Sequence, residues 1–133
     1  IDRLDVMSQS YFNLSSSFST EIEVNDINVG GDIFNQKSSY LSSSIVVVDM
    51  FTTSSYRTAK YLVQVSSASE YQASEILLIH SGSKSYTTEY AQLSPNGLFT
   101  KFSSDISESQ VRLKASSLFD SCSINFTRTL ISV

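Results

Sequence analysis

Tryptophan is absent from the 133 residues, and proline, histidine and cysteine occur once each. Each shortage excludes a class of chemistry. A single cysteine, Cys122, cannot close an internal disulfide, so the chain is not a disulfide scaffold. In its alternating surroundings it reads as a buried, inert thiol, and it leaves the compartment open. A single histidine, His80, gives a His-based metal site or a charge-relay pair little to build from. It ends an apolar run just before a turn and reads as a hydrogen-bonding residue there. Nine basic residues stand against 13 acidic ones, for a net charge of −4, and the basic ones are scattered singly. A nucleic-acid surface needs clustered Lys and Arg, so no such partner is expected. No stretch approaches the roughly 18 apolar residues of a membrane span. No signal peptide is visible and the first residue is not Met. The chain is therefore read as a processed product or an ordered part of a longer polypeptide. No phosphate-cradling glycine loop occurs, and no cofactor is expected.

What the chain has in quantity is serine, 30 residues, with an apolar fraction of 41%. The apolar share suffices for a real core. Serine and threonine can cover the solvent face of a strand without charge, and alternating apolar positions indicate that use over most of the chain. Tyr56–Ser66 places Arg57, Ala59, Tyr61, Val63 and Val65 at one parity, with Thr58, Lys60, Gln64 and Ser66 mostly at the other, which is a half-buried strand. Tyr71–His80 contains the unbroken run Ile76-Leu77-Leu78-Ile79 and predicts a central strand buried on both faces. Ser81-Gly82-Ser83-Lys84 is a turn, and the Tyr/Thr-rich Ser85–Leu93 returns as a third strand.

Four further strands complete the set. Ser44–Thr52, with Ile45-Val46-Val47-Val48, precedes the meander. Ser94-Pro95-Asn96-Gly97 is a β-turn in which proline fixes one central residue and Asn-Gly tolerate the others. It leads into Leu98–Ile106, then Val111–Ala115, then Ser121–Ser132 with Cys122, Ile124, Phe126 and Leu130 at one parity. Seven strands at this spacing predict a mainly β chain, an antiparallel sandwich of seven to eight strands over residues 41–133.

Residues 1–40 read differently. Leu4, Met7, Tyr11, Leu14 and Phe18 follow the a/d spacing of a coiled coil over little more than two heptads. A single amphipathic helix packed on its own domain has the same pattern. Ile22 and Val24, then Ile27 and Val29, alternate as short extended segments before Gly30-Gly31, and Gln36–Ser44 reads as a linker or surface loop. The whole is predicted to be a helical or coiled-coil lead-in followed by a fibre-like β segment. These apolar residues have too few neighbours of their own. Leu4, Met7, Tyr11, Leu14, Phe18, Ile22, Val24, Ile27 and Val29 are therefore expected to form an interface between copies.

Some polar residues stand out. Arg57, Glu75 and Arg128 all share parity with apolar neighbours. They are expected either to form an internal ion pair or to lie at strand ends, where long side chains reach water. Glu75 and Glu89 supply the two carboxylates that glycoside hydrolysis needs, but nothing sets them apart from solvated or ion-paired strand residues, and no enzymatic activity is expected. The seven tyrosines raise the possibility of a platform for a sugar. Tyr61 and Tyr90, however, are better placed as core-edge residues.

Tyr56 to Val65, Glu75 to Gly82, Thr88-Glu89-Tyr90, Phe102 to Ile106, Val111-Arg112-Leu113 and Arg128-Thr129, in that order and spacing, resemble a β-rich virion module. The module belongs to structural proteins of T4-like tailed phages of marine bacteria and ends larger fibre, neck or tail-associated chains. The likeness covers about residues 45 to 132. The turn after His80 departs from it, with Ser81-Gly82-Ser83 in place of the usual Asp-Gly-Thr. The resemblance implies a non-enzymatic structural role in the virion, with other virion proteins and further copies of the chain as partners. Threefold symmetry is implied by the resemblance to phage fibres and is not decided by the a/d residues. A receptor- or host-glycan-binding tip is the competing expectation.

Overall fold

In a computed structural model the described residues are 27–29 and 32–133. They form nine strands: β1 (Ile27–Val29), β2 (Asp32–Leu41), β3 (Val46–Thr52), β4 (Tyr56–Ser66), β5 (Tyr71–His80), β6 (Ser85–Leu93), β7 (Thr100–Ser107), β8 (Gln110–Ser117) and β9 (Cys122–Ser132). Six strands make one antiparallel sheet in the order β1-β2-β9-β4-β5-β6, and three make the other, β3-β8-β7. The chain is therefore mainly β and antiparallel, as its periodicity predicts. The last strand, β9, lies inside the large sheet between β2 and β4.

The alternation puts one parity of each sheet into a shared core. Ala59, Tyr61, Val63 and Val65 of β4 meet Ile76 and Leu78 of β5 and Ile124, Phe126 and Leu130 of β9 on the large sheet. Phe51, Val111, Leu113 and Ala115 face them from the small one. Each large apolar side chain buried in this way contributes about 1.5–3 kcal/mol. Cys122 is buried, as expected, beside the Ser117 hydroxyl.

Two expectations are corrected by the sheet. The Ile76–Ile79 run is not covered on both faces: Ile76 and Leu78 are buried, whereas Leu77 and Ile79 are exposed. β5 is flanked by β4 and β6, but only three strands lie opposite the six-stranded sheet, so its outer face stays open. The stretch Gln36–Ser44, read as a linker, is strand as far as Leu41, and β2 pairs with β9 from Ile33↔Leu130 to Leu41↔Cys122. Its many serines hid a strand whose pairing comes from the far end of the chain. β2 also runs across the expected division at residues 40/41.

Three irregularities steer side chains. In β3, Val48 is an extra residue between Val47↔Lys114 and Asp49↔Leu113. In β4, Arg57 is extra between Tyr56↔Ser132 and Thr58↔Ile131. In β6, Ala91 and Gln92 fall between Tyr90↔Glu75 and Leu93↔Ala73, and Ala91 has φ +53°. Such bulges shift parity and sharpen the strand's twist. The two-residue turn Glu108-Ser109 joins β7 to β8 with both residues at positive φ, a geometry that suits hairpin twist better than it suits these side chains.

Gln72 holds the connection from the Pro95 turn into β7. Its side chain is buried, and its Oε1 accepts from the backbone N–H of Phe99 at 2.8 Å and of Thr100 at 3.0 Å, while Nε2 donates to Thr100 O at 3.3 Å. Leucine there would leave two buried donors without an acceptor, at about 1–3 kcal/mol each. Gln72→Leu is accordingly expected to lower the unfolding free energy by about 2–4 kcal/mol in urea titration. Gln72→Glu keeps the acceptor but buries a charge and sets an oxygen against Thr100 O, so it should be destabilising as well at neutral pH.

Candidate functional site

The β3 bulge turns a carboxylate inward. With an unbroken register Asp49 would face away from the core; after the extra Val48 it sits opposite Leu113 and is buried. Asp49 faces Arg128 on β9, whose Nη1 donates to both carboxylate oxygens at 3.0 and 2.9 Å and to Met50 O at 3.4 Å. Tyr61 Oη on β4 donates to Asp49 Oδ2 at 2.9 Å. The side chains of Arg128 and Asp49 keep only 11% and 4% of their surface accessible. This contact joins the small sheet to two central strands of the large one. Burial, and then the neighbouring Asp49 carboxylate, push the Tyr61 phenol well above its ordinary pKa, so it stays a donor. Arg128 Nε is buried without a hydrogen-bond partner.

The three charges singled out in the sequence are not brought together. Arg57, the extra residue of its bulge, donates to His80 O at 3.2 Å. Glu75 is on the opposite face of the sheet from Arg128 and lies 3.6 Å from Lys60, partly exposed. Arg128 does have a buried acidic partner, but it is Asp49. Parity counting missed Asp49 because the bulge inverts its face, and Val46-Val47-Val48 leaves no mark of where the extra residue falls. Glu75 and Glu89 also part company. Glu89, opposite Ile76, accepts from the Ser74 hydroxyl at 2.7 Å on the inner side, whereas Glu75 faces outward. They do not form the facing pair that glycoside hydrolysis requires.

His80 is buried at the end of β5. Its Nδ1 accepts from Gly82 N–H at 2.9 Å, so Nε2 carries the proton and donates to Tyr56 O at 2.6 Å. The imidazole thus fastens the Gly82 turn to the start of β4. Gly82, at φ +99°, takes the left-handed backbone that this turn requires. Among the described residues no group of three or more His, Cys, Asp or Glu side chains is placed to hold a metal.

Of the expected interface residues, Leu4, Met7, Tyr11, Leu14, Phe18, Ile22 and Val24 lie outside the described residues. Ile27 and Val29 are in β1, at the edge of the large sheet, with Ile27 paired to Phe34.

Two surface features remain. One is a hollow of about 440 Å³ between the Ser43 loop, the end of β6 and the start of β7. Glu89, Gln92, Lys101 and Leu98 line it, along with Thr100, whose buried Oγ1 has no partner. The other is the outer face of the large sheet. It exposes Leu62 (55%), Leu77 (41%), Ile79 (45%), Tyr86 (56%) and Ile131 (52%). Cross-strand pairing sets Ile131, Thr58, Ile79 and Tyr86 in one continuous row. Tyr61, expected at the core's edge, is at its centre, and Tyr90 is on this open face.

No protein-family model matches the chain, and no curated protein does. Solved structures do match. The fold resembles one found in phage tailspikes. The tailspike protein of Acinetobacter phage vB_ApiP_P1 aligns at a TM-score of 0.50 and 16% identity, over 92% of this chain and 26% of that one. The tailspike protein gp49 of Acinetobacter baumannii bacteriophage Fri1, described as a capsular polysaccharide depolymerase, aligns at 0.50 and 14%, over 81% of this chain and 19% of that one. The chain thus spans about a quarter or less of these tailspikes, and the likeness is one of fold.

Removing Arg128 leaves a buried carboxylate without its cation. Arg128→Met is expected to cost about 3–5 kcal/mol in chemical denaturation, and Asp49→Leu combined with Arg128→Met considerably less. Glu75→Gln should stay within about 0.5 kcal/mol, the scale of exposed substitutions.

On the small sheet's outer face, Asp105 accepts from Arg112 Nε at 2.7 Å and from Nη2 at 2.6 Å, with Lys114 at 2.8 Å. Hydrogen bonds from Arg112 and then Lys114 hold the Asp105 carboxyl far below the usual carboxylate range. A carboxyl whose folded pKa lies below its unfolded value stabilises the fold above about pH 3.9 and loses that contribution as pH falls. The Tm difference between the chain and Asp105→Asn should therefore be full at pH 6 and shrink steadily below about pH 4.

Proposed function

We propose that this chain is a non-enzymatic structural module of a tailed-phage virion, working by assembly at the tail appendage. The observation that carries the reading is the open outer face of the six-stranded sheet, with its row of exposed aliphatic and aromatic side chains. Exposed apolar patches of this kind mark interaction surfaces. The fold likeness to phage tailspikes supports a virion setting, and the sequence resemblance supports a fibre, neck or tail-associated position. The T4-like, marine part of that resemblance rests on the quoted sequence runs alone, since the structural neighbours come from Acinetobacter phages. Copies join as a homotrimer through residues 1–36.

A glycan-binding tip for host adsorption is the second reading. The hollow beside Glu89 and Gln92 favours it, because a side-chain carboxylate and amide on its wall suit a polyhydroxylated ligand. Specific signals on a glycan array that vanish with Gln92→Ala would move the assignment to that reading.

The assembly reading is tested by light scattering on the full chain. A mass three times the 14.7 kDa of one chain is expected. Leu14→Asp, which places a charge in the N-terminal apolar stripe, should reduce it to that of one chain. A monomeric wild-type chain would exclude the trimer.

A further inference from the structure

Two apolar surfaces in this protein are incomplete. The stripe Leu4, Met7, Tyr11, Leu14, Phe18 covers little more than two heptads, too short to hold a coiled coil by itself. Ser15-Ser16-Ser17 weakens its last turn further. The outer face around Leu62, Leu77, Ile79, Tyr86 and Ile131 has no third layer among the described residues. We infer that the N-terminal stripe of one copy lies across the outer sheet face of a neighbouring copy. The inference rests on the reading that residues 1–36 join copies, and it names the surface they reach.

Length and position support the match. As a helix, Leu4 to Phe18 would be about 21 Å long. The exposed side chains span four adjacent strands, β9-β4-β5-β6, or about 14 Å at the usual spacing, and several residues along each strand. Spacing of three and four residues is what a helix presents when it lays one face into an apolar surface. The described chain begins at the level of this patch. Ile27 shares a continuous cross-strand row with Phe34, Thr129, Lys60, Leu77 and Thr88. β1 is also the edge strand of its sheet, so the chain before it starts at the rim of the sandwich, where a neighbour can approach. Residues 19–26 extend to at most about 27 Å, enough to pass from that rim to an adjoining sandwich. The seat is shaped as well as apolar: a shallow hollow of about 280 Å³ lies between Thr58, Leu77, Ile79 and Tyr86. The nearest charges, Lys60 and Glu75, face each other at 3.6 Å and present little net charge to an apolar helix.

Disulfide trapping in the full chain tests this. Leu14→Cys and Leu77→Cys are introduced together and separately, with the buried Cys122 left in place. Under mild oxidation the double variant is expected to give covalent dimers and trimers on a denaturing, non-reducing gel, and each single variant to stay one chain. A double variant that closes its bond within one chain would overturn the inference, since the stripe would then cover its own sheet. Multimers from Leu14→Cys alone would also overturn it, since the stripes would then meet one another. A second measurement avoids the N-terminus. Ile79→Glu alters an already exposed position, so the β circular dichroism should be kept while the scattering mass falls threefold. An Ile79→Glu chain that remains trimeric overturns the docking and leaves the assembly reading standing. A wild-type chain that is monomeric removes both.

Discussion

One buried ionic contact joins the two layers. Asp49 belongs to the three-stranded sheet, and Arg128 and Tyr61 belong to the six-stranded one, so their meeting fixes how the sheets face each other. Apolar packing alone would tolerate small slips between the layers, since Val, Leu and Ile surfaces are not directional. A carboxylate that must meet a guanidinium and a phenol at hydrogen-bond distance does not tolerate them. The contact depends in turn on the β3 bulge, because without Val48 the carboxylate would face away from the core. Thus one extra residue in a short edge strand helps to align the layers, alongside the Gln72 hydrogen bonds from β5 to Phe99 and Thr100.

Much of the fold could be read from residue periodicity, and the limits of that reading have identifiable causes. The boundaries of β4, β5 and β6 follow directly from alternation and from the Gly82 and Pro95 turns. β2 was hidden because its partner, β9, lies some ninety residues away, and serine-rich strands carry no apolar signal of their own. The open outer face was hidden for a different reason. Ile76 to Ile79 states how much apolar surface exists, and only the count of strands in the opposite layer decides whether both faces are covered. For the polar residues, a charge on an apolar parity correctly marked Arg128 as needing a partner. It failed for Arg57 because a bulge displaces that residue. It failed for Glu75 because its neighbours Leu77 and Ile79 are themselves on the open face.

The division of labour between the two sheets follows. The small sheet closes the core and carries a charged outer surface, where Asp105, Arg112 and Lys114 compensate one another. The large sheet carries uncharged and apolar side chains outward, with Lys60 and Glu75 paired among them. One side of the sandwich is therefore suited to water and the other to contact. That asymmetry is the physical basis of the proposed assembly role, and it is independent of the likeness to tailspikes.

The bulge in β6 has a further consequence. β6 ends the strand order of the large sheet, where a straight strand would offer another chain a ladder of unpaired amides and carbonyls. Ala91, in left-handed backbone, breaks that ladder between Tyr90 and Leu93. A guest strand could follow the edge only as far as Tyr90 before losing register. Copies of the chain brought side by side would thus not zip into one continuous sheet along this edge, and contacts there would be left to side-chain surfaces.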